Sequence, residues 1–94
     1  MIQTASIKTG KAERLMKALC NHFAHKVTAR YEGDKGYIEF GDGKCEITAT
    51  SITLKFQAEA ETAEGLDHVK RAVVKHFERF TPGEDIQIIW EDPS

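Results

Sequence analysis

The side chains through which this chain could do chemistry near neutral pH are four histidines, two cysteines and scattered carboxylates. Histidine alone has an ordinary pKa in that range. Three of the four, His22, His25 and His76, fall near the predicted C-terminal ends of helices, with Lys26 and Arg79 beside them. Cations are favoured at the negative end of a helix dipole, so helix-end electrostatics alone accounts for that placement. The sharper reading is a recognition patch, in which His22, His25 and Lys26 bind an anionic ligand or a partner carboxylate through charge-assisted hydrogen bonds. His76 and Arg79 form a second patch of the same kind.

The same residues also suggest a metal site. In His22-Phe23-Ala24-His25 the imidazoles are three apart and share a helix face. Zinc needs three or four ligands, so His76 or His68 would have to join them. Counting strand reversals makes the two helices antiparallel, which sends their C-terminal ends apart by ~20 Å at 1.5 Å per residue. His22 and His76 are therefore expected to be too distant to share an ion, and His68 falls on the polar side of its helix. No metal and no cofactor is expected.

Neither cysteine reads as a nucleophile. Cys20 lies on the apolar side of a helix and Cys45 on the inward side of a strand, and His22, two residues from Cys20, points away from the thiol. The chain has no CxxC, GxSxG, P-loop, GxGxxG or HExxH. The glycines at 33, 36, 41 and 43 read as turn residues. An enzymatic alternative would use His22 or His25 as a general base beside a strand carboxylate such as Glu39. A third reading is a purely structural scaffold that dimerises through the edges of its terminal strands.

The elements that must position these groups follow from periodicity. Ala5 and Ile7 alternate with polar neighbours as in a half-buried strand. Ala12, Leu15, Met16, Leu19, Cys20 and Phe23 recur at three and four, giving an amphipathic helix over about Lys11 to His25. Period two returns with Val27, Ala29 and Tyr31, then Ile38 and Phe40, then Cys45, Ile47 and Ala49, then Ile52, Leu54, Phe56 and Ala58. Gly41-Asp42-Gly43 favours a tight hairpin between two of these strands. Thr62 is the predicted N-cap of a second helix whose stripe is Leu66, Val69, Val73, Phe77 and Phe80. Pro82-Gly83 stops it, and Ile86, Ile88 and Trp90 predict a last strand. The order β-α-β-β-β-β-α-β, with one apolar side to each strand, predicts a single α+β domain over residues 1–94: a two-layer sandwich with a mostly antiparallel sheet and both helices on one face.

Within that order there is a weak internal echo. Ala18 to His25 and Ala72 to Arg79 both read small, apolar, apolar, any, His, Phe, any, basic. Two helices doing the same packing work on one sheet would produce it.

With 94 residues, 40% apolar and 30% charged side chains, the chain has ordinary globular usage. A net charge of -2 without basic blocks argues against nucleic acid, and only Tyr37 is an aromatic clearly expected on an open sheet face. No apolar run is long enough to span a membrane. The segment Met1 to Ser6 lacks the features of an export signal, so a cytoplasmic location is expected.

The string Leu19-Cys20-Asn21-His22-Phe23-Ala24-His25-Lys26, with Ile38-Glu39-Phe40-Gly41, Cys45, His76-Phe77-Glu78-Arg79-Phe80 and Ile89-Trp90, resembles a small bacterial family known as domain of unknown function 2218. The resemblance spans about residues 2 to 91. Some members are associated with siderophore-interacting flavin reductases, which implies a link to iron acquisition and a ferric chelate as the anionic ligand. No catalytic residue comes with the resemblance. The leading expectation is a non-catalytic accessory module that binds a ligand or a protein partner.

Overall fold

The structure, a computed structural model, describes residues 1–84 and 86–93. The elements are β1 (Ile2–Lys8), α1 (Ala12–Phe23), β2 (Thr28–Glu32), β3 (Lys35–Glu39), β4 (Lys44–Ala49), β5 (Thr53–Glu59) and α2 (Ala63–Phe77), followed by a 3-10 turn (Glu78–Phe80). The five strands form one sheet in the order β1-β5-β4-β3-β2, and every neighbouring pair is antiparallel. Strands β2 to β5 are the predicted meander. Helix α1 carries the chain from one edge of the sheet to the other and packs over β2, β3, β4 and β5. The result is the expected α+β layering of two helices with one open sheet.

The core is where the two periodicities placed it. All six apolar positions of the α1 stripe are buried, as are Leu66, Val69, Val73 and Phe77 of α2. They meet Ile7, Ile38, Cys45, Ile47, Leu54, Phe56 and Ala58 from the sheet in a single cluster. Each large side chain so buried stabilises the fold by roughly 1.5–3 kcal/mol relative to exposure. Thr62 caps α2 as expected, its hydroxyl accepting from the Gly65 amide at 3.0 Å. The opposite face of the sheet is a polar checkerboard: Arg30 lies beside the Tyr37 ring, Tyr37 donates to Glu39, and Lys44 pairs with Glu46 and Glu59.

Several expectations need correction. The last strand does not form as an element among the described residues. Residues 86–91 meet β1 through one antiparallel bridge, in which the Thr4 and Glu91 amides each donate to the other's carbonyl at 2.8 Å. Ile86, Ile88 and Trp90 still pack on the core, so their alternation was a burial signal without a ladder. On β2, Tyr31 is 39% exposed and Ala29 only half-buried, because this strand is an edge that α1 covers incompletely. Of the glycines read as turn residues, Gly36 serves close approach instead, and Gly43 serves close approach while also lying in the β3–β4 turn. A Cβ on Gly36, within β3, would lie 3.0 Å from Cys20 Sγ and 3.1 Å from Met16 Cγ. One on Gly43 would lie 2.7 Å from both the Glu59 carbonyl oxygen and Val69 Cγ2.

The largest correction concerns helix direction. β1 and β5 do run antiparallel, yet the C-terminal ends of α1 and α2 converge: His22 Nε2 and His76 Nδ1 are 2.9 Å apart. Strand reversal fixes strand direction but not the angle at which a helix lies across the sheet. Here α2 starts against the β3–β4 turn, where Gly65 lets the helix come within 2.5 Å, measured from its virtual Cβ, of the Asp42 carbonyl oxygen. It ends beside the last turn of α1.

Candidate functional site

The converging helix ends build a site that separate reading of the two helices did not assemble. His22 lies one residue before the end of α1, next to Phe23, whose ring is buried and packs edge-on against Phe40 of the β3–β4 turn at 5.2 Å. The same Phe23 ring lies 4.7 Å from the His76 imidazole. Phe80, in the 3-10 turn, closes the other side at 5.7 Å from His22. The two imidazoles thus rest against two aromatic rings, Phe23 touching both and Phe80 touching His22, and both stay half-buried.

In their 2.9 Å contact one imidazole donates an N–H to the bare nitrogen of the other. Two imidazolium rings would meet N–H to N–H with two positive charges, so the contact allows at most one of the two rings to be cationic. The surroundings push the same way. Burial holds His76 below the ordinary histidine range, and the positive charges of His22, Arg79, Lys26 and Lys75 add to the effect. Among the described residues none of Lys26, Lys75 and Arg79 forms an ion pair, whereas Lys17, Lys44 and Arg71 each do.

Of the sequence candidates, the structure joins His22, Lys26, His76 and Arg79 into one patch, so the two patches expected apart are one. His25 is exposed and its amide turns back toward the His22 carbonyl at 3.4 Å; its imidazole makes no described contact with the pair. His22 and His76, expected too far apart to share an ion, are in contact, although no cluster of three or more His, Cys, Asp or Glu suited to a metal exists among the described residues. His68 pairs instead with Asp42, Nδ1 to Oδ2 at 2.9 Å, on an exposed part of α2. The residues that sequence reading missed are Lys75 and the aromatic neighbour Phe80. The echo of Ala18–His25 in Ala72–Arg79 held the available signal, since His22 and His76 are its equivalent positions.

Among the described residues neither His22 nor His25, the bases of the enzymatic alternative, has a carboxylate partner. Glu39 accepts from the Tyr37 hydroxyl at 3.2 Å on the open face of the sheet, with the strand layer between it and the helix-side imidazoles. The thiols are inert in this setting: Cys20 and Cys45 are free and buried, and burial pushes the Cys45 thiol up to about 12.

Three comparisons bear on the chain. A family model described as "Uncharacterized protein conserved in bacteria (DUF2218)" matches residues 4–91. No curated protein matches. Among solved structures, the NMR structure of PA4090 from Pseudomonas aeruginosa is similar, with a TM-score of 0.81 and 28% identity over 96% of this chain and 94% of that one. The same open-sheet α+β fold is thus present in an experimentally solved relative.

Proposed function

The chain belongs to the bacterial DUF2218 family, and from that premise we propose that it is a non-catalytic accessory module that binds a small anionic ligand through the joined helix ends. The observation that carries this reading is the His22–His76 pair set among Lys26, Lys75 and Arg79, three cations with no described ion-pair partner. Such a surface recognises carboxylate or catecholate oxygens by charge-assisted hydrogen bonds. A ferric chelate displaying them is the ligand class we assign, and a carboxylate on a protein partner would use the same contacts. Two unpaired thiols suit a reducing cytoplasm, where we place the protein.

An arriving anion favours protonated imidazole, so binding takes up a proton and strengthens as pH falls through the histidine range. The test is calorimetry with ferric citrate at pH 8 and pH 5.5, with the wild type, Lys26→Ala plus Arg79→Ala, and His22→Ala plus His25→Ala. The expected result is tighter binding at the lower pH and at least tenfold weaker binding in both double variants. Affinity unchanged by either pair of substitutions rejects the reading.

A further inference from the structure

We propose that the free edge of β2 docks a second copy of this chain, in an antiparallel β2–β2 pairing centred on Tyr31. The two sheet edges differ. β1 is partly covered by residues 86–91 through the Thr4–Glu91 bridge, whereas β2 pairs only with β3 among the described residues. The phase of the ladder shows which β2 backbone groups are free. The Phe40 amide donates to Gly43 and the Ala49 amide to Asp34, so residues 34, 36, 38 and 40 face β4. Lys35, Tyr37 and Glu39 therefore face β2 and pair with Glu32, Arg30 and Thr28. The amides and carbonyls of Ala29 and Tyr31 are left pointing outward.

A two-fold pairing that continues the sheet with the helices of both copies on one side must place residues of equal parity opposite each other. Three such registers are centred on an interior residue of β2. Centring on Arg30 sets Arg30 against Arg30, a like-charge pair that is destabilising. Centring on Ala29 sets Tyr31 against Val27, but Val27 and Lys26 donate their amides back to the Phe23 carbonyl and belong to the end of α1. Centring on Tyr31 sets Arg30 against Glu32 of the other copy twice, by symmetry, on the open face. It also sets Tyr31 on Tyr31 on the helix face, with the outward-pointing Tyr31 backbone groups exchanging hydrogen bonds. Charge complementarity thus selects one register. It also gives a use to Tyr31, whose ring is 39% exposed with Lys17 Nζ 5.8 Å from its centroid. The pairing lies on a different element from the imidazole pair and does not depend on the ligand reading.

The experiment is sedimentation over a concentration series, together with cysteine cross-linking under mild oxidation. Directly opposite residues in a hydrogen-bonded pair lie ~5.5 Å apart between Cα atoms, within disulfide reach. Tyr31→Cys should therefore form a covalent dimer and Arg30→Cys should not. The native thiols, Cys20 and Cys45, are buried and do not compete. Arg30→Glu and Glu32→Arg should each weaken self-association about tenfold, and the double exchange should restore it. All these positions are exposed, so the fold should survive the changes. A mass that stays monomeric at every concentration, cross-linking through position 30 and not 31, or a double exchange that fails to restore association would overturn the proposal.

Discussion

Gly65→Ala is a substitution for which two physical effects have opposite signs and the structure decides between them. In a helix interior alanine is favoured over glycine by up to about 1 kcal/mol, so propensity alone predicts a more stable protein. The geometry predicts the reverse. A Cβ at residue 65 would sit 2.5 Å from the Asp42 carbonyl oxygen, 3.1 Å from Thr62 Oγ1 and 3.3 Å from Ala60 Cβ. Because the nearest atom is backbone, no side chain can swing away to make room, and the helix or the β3–β4 turn must shift. Overpacking costs about 1–3 kcal/mol, and a 2.5 Å approach to a backbone atom belongs in the upper part of that range, about 2–3 kcal/mol, so after the propensity gain a net loss of about 1–2 kcal/mol remains. In a domain of this size that loss lowers the melting temperature by about 4–15 °C. Gly10→Ala, where a Cβ would meet nothing within 4 Å, is the control and should stay within about 0.5 kcal/mol of the wild type. Urea unfolding followed by circular dichroism measures both variants, and a histidine NMR titration then asks whether shifting the start of α2 releases His76. If Gly65→Ala melts higher than the wild type, the close seat of α2 on the turn is wrong, and with it the account of why the helix ends converge.

Two further predictions rest on the buried groups. His76 is held below the ordinary histidine value by burial, His22, Arg79, Lys26 and Lys75, so the unfolded chain binds a proton there that the folded chain resists. Stability from this site is present above about pH 6.5 and is lost as pH falls from there through the lowered pKa. Thermal melts at pH 8 and pH 5.5 should show a smaller difference in His76→Gln than in the wild type, and an equal or larger difference would refute the assignment. Cys20 and Cys45 should resist a thiol reagent in the native protein at pH 8 and react together on unfolding, since Cys45 is fully buried with its thiol at about 12; prompt labelling of either under native conditions would contradict the packing.

What was legible in the chain was what depends on one segment at a time. The three-and-four spacing from Ala12 to Phe23 identified the buried face of α1, and the threonine at 62 identified a cap, because both are decided within a few residues. Tyr31 went wrong for the complementary reason: its spacing matches Ala29, but its burial depends on how far α1 extends over an edge strand. Gly36, Gly43 and Gly65 were opaque in the same way. A turn glycine and a close-approach glycine have the same letter, and only the neighbour that would meet the missing methyl separates them. The close approaches at Gly43 and Gly65 set how α2 lies across the sheet. The angle at which it crosses, and hence the meeting of His22 and His76, was therefore beyond any count of strand reversals.

Under the proposed function, helix-end electrostatics and ligand binding draw on one local charge balance. Two helices that end side by side bring together two negative dipole ends, together equivalent to about one elementary negative charge. Glu78, the C-cap residue of α2, adds another. Lys26, Lys75 and Arg79 oppose these with three full positive charges, so the helix ends and Glu78 together account for about two of them. A surplus of about one positive charge remains with both imidazoles neutral, and it grows when the pair accepts a proton. That surplus distinguishes a cluster serving only to neutralise helix ends from one with charge left for a ligand. Salt provides the discriminating measurement: if the surplus is real, chelate binding weakens steadily with ionic strength while the melting temperature changes little. If the cations serve the helix ends alone, salt should shift the melting temperature and no saturable chelate binding should be seen at any ionic strength.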